Sequence, residues 1–178
     1  MIKIFLMRCF KFLILCAAFV AGSGSVSVAA QEVDVLTVVD ELIGRYDYSG
    51  ALDKINGLIT VDVQDSVAVA SLPEGERAVQ RELQKRKAQC LKKLYNYEGA
   101  VEAFGAVLAL DSKANPVPVL AEIADCNIQQ GNLTEALNLY GLITVMDPGN
   151  LYFRMQKTVL YYYCGMYEDC IAGAESVM

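Results

Sequence analysis

The chain contains no histidine among its 178 residues. That removes the commonest general base and the commonest metal ligand. It has no glycine-rich phosphate loop, and its glycines fall at turn positions instead. It also lacks an apolar run long enough to cross a bilayer: the longest near the start, from Phe12 to Ala21, is ten residues, against ~20 for a span. No arrangement of nucleophile, base and orienting group is visible, so bond-making chemistry has no obvious seat here.

The first thirty residues contain no acid and three bases, Lys3, Arg8 and Lys11. A basic start, the short apolar run and the small, polar "GSGSVSVAAQE" together read as a secretory signal peptide, residues 1–30. Val28 and Ala30 suit the small-residue cleavage rule and predict a mature start at Gln31. Leu15 before Cys16 departs from a lipid-attachment pattern. No membrane span is expected to remain after cleavage.

The remaining 148 residues suffice for one domain with a core. The formal charge of the whole chain is −6, and it becomes −9 for residues 31–178, where twelve bases face twenty-one acids. An acidic exported chain of this kind is a poor nucleic-acid binder. Four cysteines stay behind: Cys90, Cys126, Cys164 and Cys170.

Helical periodicity organises this portion. In "PVLAEIADCNIQQ", Leu120, Ile123, Ala124 and Ile128 recur at helical spacing. Gly131-Asn132 is a turn signal. The following "TEALNLYGLITVM" places Ala136, Leu137, Tyr140, Ile143 and Val145 on a second helix, with Thr134 near its N-cap and Asp147-Pro148 as its stop.

This segment resembles a tetratricopeptide repeat, a helix–turn–helix unit of ~34 residues. The first-helix pattern falls on Leu120, Ile123, Ala124 and Asn127, with Leu120 and Asn127 standing where an aromatic and a tyrosine are usual. The second-helix pattern falls on Ala136, Tyr140 and Pro148. At a shift of 34, Thr158, Tyr161, Gly165, Cys170 and Ala174 follow. Upstream, Ala88, Leu91, Ala100, Phe104 and Leu110 form another unit, and Val39, Leu42, Ala51, Ile55 and Leu58 a fourth. Tyr48, Tyr97, Leu133 and Tyr167 each stand three residues before the small residue, a register agreement independent of the alignment.

The resemblance therefore implies an all-α, right-handed α-solenoid over residues 31–178. Its repeats are expected at 33–62, 76–112, 117–148 and 151–178, the last cut short inside its second helix, as in a fragment of a longer protein. The step from Ala51 to Ala100 exceeds the period by fifteen residues. The excess, around "DVQDSVAVASLPEGERAVQ", reads as a loop or short extra helix before a lengthened helix starting near Pro73. The alternating "SVAVAS" is strand-like, but a lone strand would have no partner.

By repeat position, Cys90 and Cys126 are equivalent. Packed helices stand ~8–10 Å apart and a disulfide needs Cα atoms within about 7 Å, so this pair should be unbridged. Cys164 and Cys170 flank the last turn. All four read as small core residues. Glu122 and Asp125 are an i,i+3 acidic pair with too few oxygens for a hard cation.

Seven of the twelve bases, Arg77, Arg81, Lys85, Arg86, Lys87, Lys92 and Lys93, lie on the lengthened helix. They read either as a solvated face or as a patch for an acidic ligand. The resemblance places Lys85, Gln89, Lys92, Lys93 and Asp125 on the concave groove, with Met155, Val159, Tyr162 and Tyr163 from the last unit. Tyr161 should turn to the core, because consecutive residues fan around a helix. Some members of the family clamp a C-terminal carboxylate with lysines and asparagines. Here Gln89 and Asp125 replace the asparagines, so that activity does not carry over.

The resemblance implies a non-catalytic scaffold in the periplasm or cell envelope, needing no cofactor or metal and binding a protein or peptide. The alternatives are an accessory module of a larger exported enzyme or assembly factor, and a self-assembling array with the last unit as its interface.

Overall fold

A computed structural model describes residues 26–111 and 113–177, with side chains from 35 to 176 except at 112. The first twenty-five residues of the expected signal peptide lie outside the described residues. The chain divides into two compact units after Val35, and every side-chain contact described below lies in the second, Leu36–Met178.

Among the described residues there are nine helices and no strand. They are α1 (Val26–Gly44), α2 (Tyr48–Asn56), α3 (Ser66–Ser71), α4 (Glu74–Lys93), α5 (Tyr97–Leu110), α6 (Val117–Gln130), α7 (Leu133–Met146), α8 (Leu151–Tyr163) and α9 (Tyr167–Val177). Each helix from α4 to α9 packs on the next, and α2 packs on α4. The result is an α-solenoid of hairpins: α1–α2, α4–α5, α6–α7 and α8–α9.

The core is a chain of small clusters, one at each joint. Val39 and Ile55 of the first hairpin meet Leu83 of α4. Ala88, Leu91, Ala100, Ala103 and Phe104 of the second meet Ile123 and Cys126 of α6. Val117, Ala124, Ala136, Tyr140 and Ile143 of the third meet Leu160 of α8. No hairpin buries its apolar face alone; each needs the next. Ala51, Ala100 and Ala136 are fully buried, as the close helix crossing requires. In the last hairpin the matching Cys170 is only half-buried.

The turns share one geometry. Five residues before each small residue stands a left-handed residue: Tyr46 (φ 61), Tyr95 (φ 60), Gly131 (φ 79) and Gly165 (φ 74). The first two turns are near copies, "YDYSGA" and "YNYEGA". Asp47 and Asn96 cap α2 and α5, accepting the N–H of Gly50 at 2.9 Å and of Gly99 at 3.0 Å. A side chain at Gly50 would run into its capping carboxylate. The left-handed tyrosine rests edge-on against the next one, with ring centroids 6.3 Å apart in both Tyr46–Tyr48 and Tyr95–Tyr97.

The extra fifteen residues form a loop plus α3. "SVAVAS" is a helix, because Asp65 caps it by accepting from the N–H groups of Val67 (3.0 Å) and Ala68 (3.1 Å). The loop is tied to α4 by buried Gln80. Its Nε2 donates to the Leu58 carbonyl (3.1 Å), and its Oε1 accepts from the Thr60 N–H (3.3 Å). Arg77 donates to the carbonyls of Ala70 and Leu72, closing the C-terminal end of α3.

Three local expectations are corrected. The N-cap of α7 is Asn132, so Thr134 lies inside the helix. Val145 is exposed, since it sits near the end of α7 on the side away from α8 and the core cluster. Tyr161 is half-buried, beneath the Lys157 ammonium at 5.5 Å from its ring centroid.

Candidate interaction surface

The basic helix is mostly neutralised by its neighbours. Arg86 grips both carboxylate oxygens of Asp40 on α1 (2.6 and 2.9 Å) and reaches Glu82 one turn back (2.9 Å). The Arg86 hydrogen bond holds the Asp40 carboxyl below its ordinary value, outweighing the upward push of partial burial. Arg81 pairs with Asp111, and Arg77 with Glu74 at 3.7 Å. Lys92 donates to Glu122 at 2.5 Å. Burial is the largest single influence and opposes the charge on Lys92, but the Glu122 contact together with the nearby Cys126 and Asp125 outweighs it and the net shift is upward. Glu122 is thus a salt-bridge partner, and Asp125 is held by the Tyr140 hydroxyl, which donates to it at 2.8 Å. Among the described residues no group of three or more Cys, Asp or Glu is arranged to hold a metal ion. Lys85, Lys87 and Lys93 have no ion-pair partner among the described residues.

The groove residues expected from the sequence fall in three places. Lys85 and Gln89 line a cavity of about 520 Å³ between the second and third hairpins. Its floor is apolar, built from Phe104, Val107, Leu108 and Val119, and Pro116 and Pro118 close one side. Its rim carries Arg81, Asp111, Glu82 and Glu122, all paired within the protein, and the free Lys85. The apolar floor is not visible from the basic pattern of α4, because it comes from α5 and α6. Lys92, Lys93 and Asp125 line a second cavity of about 470 Å³ with Tyr97, Ile128 and Gln156. Met155, Val159, Tyr162 and Tyr163 stand exposed on α8, outside both cavities.

All four cysteines of residues 31–178 are free thiols. Cys90 and Cys126 are fully buried at matching positions, and burial raises both thiols above their usual value. Cys164 and Cys170 are half-buried, so they are not core residues as the others are; Cys164 follows α8 at the turn, where its counterparts Leu94 and Gln130 are exposed.

No protein-family model matches the chain, and no curated protein matches it in sequence. Solved structures do match in fold. One, containing TPR-like repeats of a kinesin light chain from Podosopora anserina, has a TM-score of 0.63 at 13% identity, covering 94% of this chain and 81% of that one. Another, the C-terminal TPR-containing domain of a Plasmodium falciparum FK506-binding protein, has a TM-score of 0.55 at 18% identity, covering 78% of this chain and 91% of that one. The fold is therefore that of tetratricopeptide-type repeats. None of the described helices is long and apolar enough to cross a membrane.

Proposed function

We propose that this tetratricopeptide-type solenoid is a non-catalytic scaffold that binds a protein or peptide segment. The observation that carries the reading is the cavity between the second and third hairpins. It has an apolar floor, and its rim charges are satisfied internally except at Lys85. Such a site offers burial for one or two apolar side chains and a single cation for an acidic group beside them. Its volume lies in the range of ~300–1,000 Å³ common for ligand sites. The similar structures named above are repeat proteins, which supports a scaffold over an enzyme by analogy of fold.

The test is capture of a partner by the full chain, compared with Lys85→Glu. The substitution is exposed and leaves every ion pair described here in place. A partner held by the native chain and lost by Lys85→Glu supports the reading. A partner held equally by both, or turnover of a substrate by the chain, overturns it.

We also propose that the chain is exported to the periplasm or cell envelope. The charge order of the first thirty residues supports this. Cleavage after Ala30 would remove the first turn of α1, which begins at Val26. The N-terminal sequence of the protein recovered from its source cells should begin at Gln31; an intact Met1 rejects export by this route.

A further inference from the structure

The corresponding faces of the three later first helices differ sharply. On α4 the sequence reads Glu82, Lys85, Gln89, Lys92; on α6, Pro118, Ala121, Asp125, Ile128. The same positions on α8 are Tyr152, Met155, Val159 and Tyr162, all exposed. The repeat fold thus tolerates polar groups here, and of the three helices only α8 carries large apolar or aromatic residues at all four positions.

The steps between these four residues are three, four and three. That is the spacing of a two-helix seam, in which side chains interlock with those of a partner helix crossing at a shallow angle. Positions flanking the seam hold Leu151, Gln156, Thr158 and Tyr163, none charged. The only charges on α8 face elsewhere: Arg154 donates to the Ser176 carbonyl and Lys157 lies over Tyr161. The exposed rings are braced, Tyr162 against Tyr163 at 5.6 Å and against Tyr167 at 6.1 Å. Bracing lowers the side-chain entropy lost on association.

A further hairpin packed on α8–α9 would cover this seam only in part: beside α8, the equivalent Ala121, Asp125 and Ile128 of α6 are half-buried and Pro118 stays exposed. In the third hairpin, Ala124, Ala136 and Tyr140 cluster with Leu160 of the following helix. Their counterparts are Thr158, Cys170 and Ala174, and the seam lies on another face of α8.

We propose that the α8 seam is a two-fold self-association surface, on which α8 of one copy packs antiparallel against α8 of a second. Three observations favour a second copy. First, an apolar helix face free of acids is where two chains of charge −6, or −9 without residues 1–30, meet with least repulsion. Second, a seam of large residues at symmetric spacing is self-complementary when one helix is reversed, as an isologous contact requires. Met155 of each copy then lies opposite Val159 of the other, and Tyr152 opposite Tyr162. Third, the area is sufficient. The seam with Leu151, Tyr163 and Met166 is 39 to 66% exposed. At ~150–250 Å² for a large side chain this is on the order of 550–900 Å² per copy when all of it is covered, a range that includes the ~800 Å² of a standard interface.

The surface is distinct from the cavity at Lys85, so the two readings fail separately. The experiment is sedimentation velocity of the full chain over a hundred-fold concentration range, beside Val159→Glu, Val159→Lys, an equal mixture of the two, and Lys85→Glu. Circular dichroism checks that each variant keeps its helicity, which an exposed site permits. The native chain and Lys85→Glu should form a dimer that dissociates on dilution. Each Val159 variant alone should shift at least ten-fold toward monomer, and the mixture should regain the dimer. A native chain that stays monomeric, association indifferent to both Val159 variants, or a mixture that stays monomeric would each overturn the proposal.

Discussion

Gly131 and Gly165 hold the left-handed turn position in open space: nothing lies within 4 Å of an added Cβ at either. A substitution there therefore meets only backbone strain, about 1–2 kcal/mol for a non-glycine residue. Gly131→Ala should lower unfolding free energy by about 1 kcal/mol in a urea titration, with the slope unchanged. Tyr46 and Tyr95 occupy the same position and carry that strain natively, partly offset by the edge-on ring contact, worth ~0.5–1.5 kcal/mol. The turn position was legible from the register of the small residues. The left-handed tyrosines were not, because the side chain has no preference for positive φ and only the duplicated "YDYSGA" and "YNYEGA" mark them. At Tyr140 the residue-scale effect is electrostatic. Burial, then the nearby Asp125 carboxylate, pushes its hydroxyl well above the usual tyrosine value. The folded value lies above the unfolded ~10, so this stability is complete below pH ~10 and declines as pH rises past it. Tyr140→Phe should cost about 1–2 kcal/mol at neutral pH for the lost hydrogen bond. It should also move the midpoint of alkaline unfolding upward, read by far-ultraviolet circular dichroism. An unmoved midpoint would show that Tyr140 does not control it.

At the scale of elements, the long α4 is where the chain's irregularity is absorbed. Gln80 holds the inserted loop, Arg77 closes α3, and Arg86 fastens α1 through Asp40. The sequence shows the insertion plainly as the excess over the repeat period, and Pro73 marks where α4 begins. Its fill was ambiguous, because alternation in "SVAVAS" suits a strand while the decisive cap, Asp65, lies just outside it. The basic run on α4 was equally ambiguous: its partners Asp40, Asp111 and Glu122 lie 30 to 46 residues away, beyond any local pattern. The Asp40–Arg86 contact has a pH signature. Because the Asp40 carboxyl is held below its unfolded value, the contact contributes fully above pH ~4 and is lost as pH falls through the lower, folded value. Amide exchange in the second half of α1, corrected for intrinsic rates, should therefore accelerate in that acid window while α6 stays protected. Asp40→Asn should abolish the pH dependence and leave α1 at its faster exchange throughout.

Across the whole molecule, the core consists of separate joints, and its cohesion is that of a chain of neighbours. The helical-hairpin fold was legible because each unit restates the same offsets between a small residue, a large one and a turn. The completeness of each joint was not, since it depends on which helix follows. The cysteines report the difference. Cys90 and Cys126 sit fully buried on α4 and α6, while Cys164 and Cys170 are half-buried on the last hairpin. Labelling of the native chain with an alkylating reagent should modify the latter two first. Leu160 is the residue through which α8 joins the third hairpin's cluster. Leu160→Ala should cost about 2–4 kcal/mol at that joint and accelerate labelling of Cys164 and Cys170, read by peptide mass spectrometry. Cys90, on α4, should keep its native rate, because Leu160 packs into the third hairpin's cluster, to which α4 contributes no residue. If all four thiols accelerate together, the solenoid opens as one cooperative unit and the neighbour-by-neighbour account of its stability fails.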